Sequence, residues 1–147
     1  MSKEAVEGRS LLQILIDWIG TCPNITASPH ILTDILENKI PGYAVAQTSG
    51  PTSIRRYIRQ GDEFQSGYAL YVYMRGEQNT QRQKNEAFLE DFQNWVLQKN
   101  KRRDYFTIPD GRVLSIMATN GMVYDVEENL NTTYQVQLIL RYYKEAV

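Results

Sequence analysis

Near the start of the chain, apolar residues recur at three- and four-residue steps: Leu11, Leu12, Leu15, Ile16, Trp18 and Ile19. That spacing predicts an amphipathic helix over about residues 4–19. Gly20 stands where a left-handed C-cap belongs, and Pro23 bars an early resumption. Ser28-Pro29 reads as an N-cap and first helical position, so residues 29–37 are expected to form a short helix with Ile31, Leu32, Ile35 and Leu36 inward. Pro41-Gly42 is turn punctuation. A short strand is expected at 43–47, then a polar loop over 48–53, Thr-Ser-Gly-Pro-Thr-Ser.

Farther on, the period falls to two. Residues 54–59 and 64–74 read as antiparallel strands joined through Gly61-Asp62. In the second strand Phe64, Tyr68, Leu70, Val72 and Met74 share one face, and Gln65, Gly67, Ala69, Tyr71 and Tyr73 the other. A polar break covers 76–80. Phe88, Phe92, Trp95 and Val96, with Leu89 beside them, then mark the apolar stripe of a helix over about 80–99. Lys99, Lys101, Arg102 and Arg103 gather at its C-terminal end, where cations interact favourably with the helix dipole. Hairpin arm, strand and helix, from Arg55 to Trp95, form a compact scaffold around which the rest can pack.

Pro109-Asp110-Gly111 predicts a turn, residues 113–119 a strand, and Asn120-Gly121 a hairpin-type turn. Extended structure resumes at 122–125, and 127–131 is an acidic, Asn-rich loop. In the closing strand Tyr134, Val136, Leu138, Leu140 and Tyr142 point inward, with Gln135, Gln137, Arg141 and Tyr143 outward. This order implies an α+β fold: a mainly antiparallel sheet of four to five strands with two main helices packed on one face. A length of 147 residues suits one domain, 1–147.

Composition narrows the function. A net charge of −1 argues against a protein that lives by neutralising phosphates, so no specific nucleic-acid binding is expected. Ten tyrosines suit a sheet core and a wet protein interface equally well. The single cysteine, Cys22, cannot form an internal disulfide, and no signal-peptide pattern opens the chain. No apolar run reaches the roughly 18–20 residues that span a bilayer, and Glu4, Glu7 and Asp17 spoil a membrane-surface reading of the first helix. A cytoplasmic chain, or one joining an assembly built there, is expected.

Candidate chemistry is sparse. His30 and Cys22 are the sole residues of their types, with no third orienting group and no Gly-rich oxyanion loop to frame them. Zinc needs about four convergent ligands, more than these can supply. No GxxxxGK[ST] or GxGxxG run occurs. The carboxylate pairs Asp62-Glu63, Glu90-Asp91 and Glu127-Glu128 are neighbours in sequence, unlike the convergent pairs that bind metals or cleave glycosides. No enzyme activity, metal or cofactor is expected. Arg55, Arg56 and Arg59, interleaved with Tyr57, have the composition of a nucleic-acid platform or a protein interface. The near-zero net charge favours the interface.

The run Arg56-Tyr57-Ile58-Arg59-Gln60-Gly61, then a Phe/Tyr-rich strand ending Met74-Arg75-Gly76-Glu77, resembles the tail terminator, or minor capsid protein, family of tailed phages and prophages of Gram-positive bacteria. So do Asn85 with the helical run from Phe88 to Trp95, the segment Gly121-Met122-Val123-Tyr124, and the closing Tyr134-Gln135-Val136-Gln137 with Leu140-Arg141-Tyr142-Tyr143. The similarity extends from Asp34 to Tyr143 and lies in the order and spacing of the set. Arg59-Gln60-Gly61 departs from the usual Asp-Gly turn, and residues 21–29 are individual to this chain.

The resemblance implies a structural virion protein at the head-proximal end of the tail, assembled in the host cytoplasm. Such proteins form a sixfold ring that caps the tail tube, stops its growth and offers a surface to the head. The implied partners are further copies in a homo-hexamer, the tail tube protein and a head–tail connector or neck protein. Sheet edges and the arm carrying Arg55, Arg56, Tyr57 and Arg59 are the candidates for ring contacts. Thr48 and Ser49 in the 48–53 loop, and Gly76 and Glu77 in the 76–80 break, are those for tube or neck. Two alternatives remain: another head–tail joining protein, such as a head-closure or neck component, and a small nucleic-acid-binding domain using Tyr57, Tyr71 and Tyr73.

Overall fold

The structure, a computed structural model, describes residues 10–26, 31–32, 42–56, 61–76, 78–119 and 121–145. Its elements are α1 (Leu11–Ile19), α2 (Pro23–Thr26), β1 (Ile31–Leu32), β2 (Gly42–Arg56), β3 (Asp62–Met74), α3 (Asn79–Arg102), β4 (Gly111–Ala118), β5 (Met122–Val126) and β6 (Thr132–Lys144). The sheet runs β1-β2-β3-β6-β4, with β5 also paired to β6. β1 lies parallel to β2, and every other pair is antiparallel. The expected α+β fold, mainly antiparallel with two main helices, is what forms.

Alternation decides the sheet face. Tyr68, Leu70, Val72 and Met74 of β3 and Tyr134, Val136, Leu138, Leu140 and Tyr142 of β6 are all buried on one side. β3 and β6 pair without a shift from Asp62↔Lys144 to Met74↔Thr132. Onto this face α1 brings Ile14, Leu15, Trp18 and Ile19, and α3 brings Leu89, Phe92 and Val96. Burying each of these large side chains contributes on the order of 1.5–3 kcal/mol. The helices meet through Trp18, whose ring centroid lies 4.5 Å from that of Trp95 and 5.3 Å from that of Phe106.

Two buried or half-buried amides tie α3 to the sheet. Asn85 is buried; its Nδ2 donates to the Arg75 carbonyl at 2.7 Å, and its Oδ1 accepts from Gln81 Nε2 at 3.2 Å. At the other end, Asn100 Oδ1 accepts from the Tyr105 hydroxyl at 2.5 Å and from the Ile116 N–H at 3.2 Å. The left-handed residue Arg103 (φ 52°) closes the helix, and Lys99, Lys101 and Arg102 occupy its last turn.

Several boundaries differ from the sequence reading. Ser10 is extended and its Oγ accepts from the Gln13 N–H, so α1 starts at Leu11; residues 1–9 lie outside the described residues. Gly20 is right-handed (φ −61°), and Pro23, placed first, opens the short α2 instead of preventing a helix. Of the helix expected at 29–37, Ile31 and Leu32 form strand β1, and the rest lies outside the described residues. The loop expected at 48–53 is strand, since β2 runs unbroken from Gly42 to Arg56.

The hairpin expected at Asn120-Gly121 does not reverse the chain. β4 lies along the 138–144 part of β6, and β5 continues in the same direction along 132–135. The six strand segments therefore take five positions. Gly121 sits over α3, where an added Cβ would come within 2.9 Å of Leu89 Cδ1. The reversal comes later, at the acidic loop: the Glu127 N–H donates to the Asn131 carbonyl, the Leu130 N–H donates to that of Glu127, and Leu130 is left-handed (φ 68°).

Candidate interaction surfaces

One edge of the sheet ends in an exposed arm. Between the pairs Gln47↔Tyr68 and Arg56↔Asp62, β2 advances nine residues while β3 advances six, so three extra residues are absorbed as bulges. Each bulge bends the strand and raises its twist. Gly50 (φ +83°) permits one of them, because a Cβ there would lie 2.6 Å from the Gln65 carbonyl oxygen. From Gln47 onward β2 is exposed, and beyond Ala44 its outer edge has no strand partner among the described residues.

Thr48 and Ser49 lie on this exposed strand, close over Gly67. Arg55 stands opposite Glu63 and Arg56 opposite Asp62. Arg56 Nε is 3.8 Å from Asp62 Oδ2, yet its side chain is 85% exposed against 29% for the aspartate, so the guanidinium reaches outward. Behind the arm, Phe64 stacks on Tyr142 at 5.6 Å, and Arg141 lies 3.9 Å from Glu63. Tyr57, Arg59 and Glu77 lie outside the described residues. Gly76 is buried, with room for a Cβ denied by the Leu130 carbonyl, so it serves packing against the β5–β6 turn.

The opposite edge has another character. All five residues of β5 are exposed, and Met122, Val123, Tyr124 and Val126 are each 51–60% exposed. Tyr124 packs against Tyr71 at 5.1 Å on the sheet face away from the helices. Asp125, Glu127 and Glu128 follow, and the chain has no Lys or Arg between Arg112 and Arg141. Glu127 is turned toward Tyr73 and raises its hydroxyl above the usual range, with Asn131 pulling the other way. Sequence reasoning placed extended structure and an acidic loop here but missed the exposed apolar edge. Period-two patterning gives a strand's faces and says nothing of which strand lies outermost.

An open cleft of about 350 Å³ separates α2 from α3, lined by Cys22, Asn24, Asp91, Asn94, Trp95 and Arg102 among others. Cys22 is 1% exposed and burial pushes its thiol up, the opposite of what activates a nucleophile. His30 lies outside the described residues. Among the described residues no group of three or more His, Cys, Asp or Glu side chains could hold a metal, and no helix is long and apolar enough to cross a membrane.

No family model matches the chain, and no curated protein does. Among solved structures, a chain of the virion of a native gene transfer agent particle is similar in fold. The likeness has a TM-score of 0.57 at 11% sequence identity and covers 97% of this chain and 98% of that one.

Proposed function

We propose that this chain is a structural virion protein of a phage-like particle, and specifically a tail terminator. On this reading it forms a homo-hexameric ring on the tail tube, stops tube growth and offers a surface to the connector or neck, with no catalytic role. The observation that carries the coarser part is the fold likeness to a gene transfer agent virion chain over nearly the full length of both chains. The finer part rests on the ordered sequence resemblance from Asp34 to Tyr143. Two exposed, dissimilar sheet edges fit a chain that must contact neighbours on both sides of itself.

The test is negative-stain imaging of particles produced without this gene. Overlong, uncapped tails beside separate DNA-filled heads are expected. Tails of normal length beside leaking or empty heads would assign it to head closure. Normal virions would overturn the virion reading, and a gel shift across a salt titration would then test nucleic-acid binding.

A further inference from the structure

We propose that the arm of β2 in one copy of this chain seats against the β5 edge of a second copy, a head-to-tail contact between opposite edges of the sheet. This deepens the terminator reading and rests on it for the closure of successive contacts into a ring.

Charge selects the pairing. The arm strand, residues 47–56, carries Arg55 and Arg56 and no acidic residue, whereas residues 113–140 carry Asp125, Glu127 and Glu128 and no basic one. Asp62 and Glu63 partly balance the arginines, but they lie deeper than the outward Arg56. Arm against arm would set arginine on arginine. Edge against edge would set Asp125 and Glu128 on their own copies. Like charges so juxtaposed are costly, which leaves arm on edge, a heterologous contact.

Surface chemistry agrees. β5 exposes a Met, a Tyr and two valines, and Ile54 is exposed beside the arginines. Aromatic residues, Met and Arg are the types enriched at protein interfaces. The three bulges of β2 spoil a regular backbone ladder with a foreign strand. Recognition therefore falls to side chains, with Arg55 and Arg56 facing Asp125 and Glu128. A rival basic group, Lys101, Arg102 and Arg103, sits at the end of α3 and belongs to no strand edge.

The experiment mixes two charge-reversed chains, R55E/R56E and D125K/E128K, each first checked for a native far-UV spectrum. Each alone should lose self-association by at least about tenfold, on tails and in solution, while the mixture recovers it, because every contact in an alternating assembly again joins opposite charges. Failure of the mixture to recover overturns the contact. So does an equal loss from K101E/R102E/R103E alone. A second measurement survives misfolding of a charge variant: Ser53→Cys and Val123→Cys in a Cys22→Ala chain, treated with a bismaleimide. Both cysteines together should give a covalent ladder past the dimer, and neither alone should give dimers. Dimers from one cysteine, no ladder, or linkage to a different virion protein would each overturn the proposal. Capped tails without complementation sink the contact and leave the terminator; complementation with normal tails in the deletion sinks the terminator and leaves the contact.

Discussion

At the scale of single residues, the helix-facing side of the sheet buries Tyr43, Tyr68, Tyr134 and Tyr142. Tyr68 is 1% exposed in the middle of β3, opposite Leu138, and burial pushes its hydroxyl up to about 12. Burial raises Tyr43 as well. A phenol that ionises near 10 when unfolded and near 12 when folded leaves stability untouched below pH 10. Above that, the unfolded chain releases its proton first, and stability falls until the folded pKa is passed. For Tyr68 the total loss is up to about 2–3 kcal/mol. Urea midpoints measured from pH 9 to 12 should therefore drop above pH 10, and Tyr68→Phe should flatten that drop without removing the part due to Tyr43. An unchanged alkaline limb in the Phe variant would mean that Tyr68 ionises as freely folded as unfolded.

At the scale of elements, β6 and α3 were legible because each shows its own period without interruption: five inward apolar residues at alternate positions, and a stripe through Phe88, Phe92, Trp95 and Val96. Two other segments were misread because local chemistry and tertiary pairing disagree. Thr48 to Ser53 has loop composition, and Gly50-Pro51 reads as punctuation, yet β3 is long enough to hold that stretch as strand once the three extra residues bulge out. Asn120-Gly121 carries a strong hairpin signal, but β6 outlasts β4, and β5 finds its partner straight ahead. Of the candidate interface residues, sequence marked the arm by its arginines, while the apolar β5 edge became visible only from its outermost place in the sheet. The docking of α1 gives a prediction at this scale. Trp18 touches both Trp95 and Phe106, so Trp18→Ala should cost about 3–5 kcal/mol in urea unfolding. A cost below about 1 kcal/mol would mean that α1 contributes little to holding the layers together.

At the scale of the whole molecule, the doubly paired strands and the exposed edges are different parts of one sheet. β3 and β6 are paired on both sides, along a common register of thirteen residue pairs, and face the helices. The arm and β5 have a partner on one side only among the described residues and bury little. Opening free energies should follow this division, because local opening is easiest where few apolar contacts must be broken. In native-state hydrogen exchange, amides of β3 and β6 centred on Leu70 and Val136 should exchange at least about a thousandfold more slowly than those of residues 47–56 and 122–126. If the arm and β5 bind neighbouring copies, assembly should slow exchange in those two segments together and leave the already protected centre unchanged. Protection gained at one edge alone would mean that the opposite edges do not meet. Arm amides as slow as those of β3 in the isolated chain would mean that the arm is part of the core and has no recognition surface to offer.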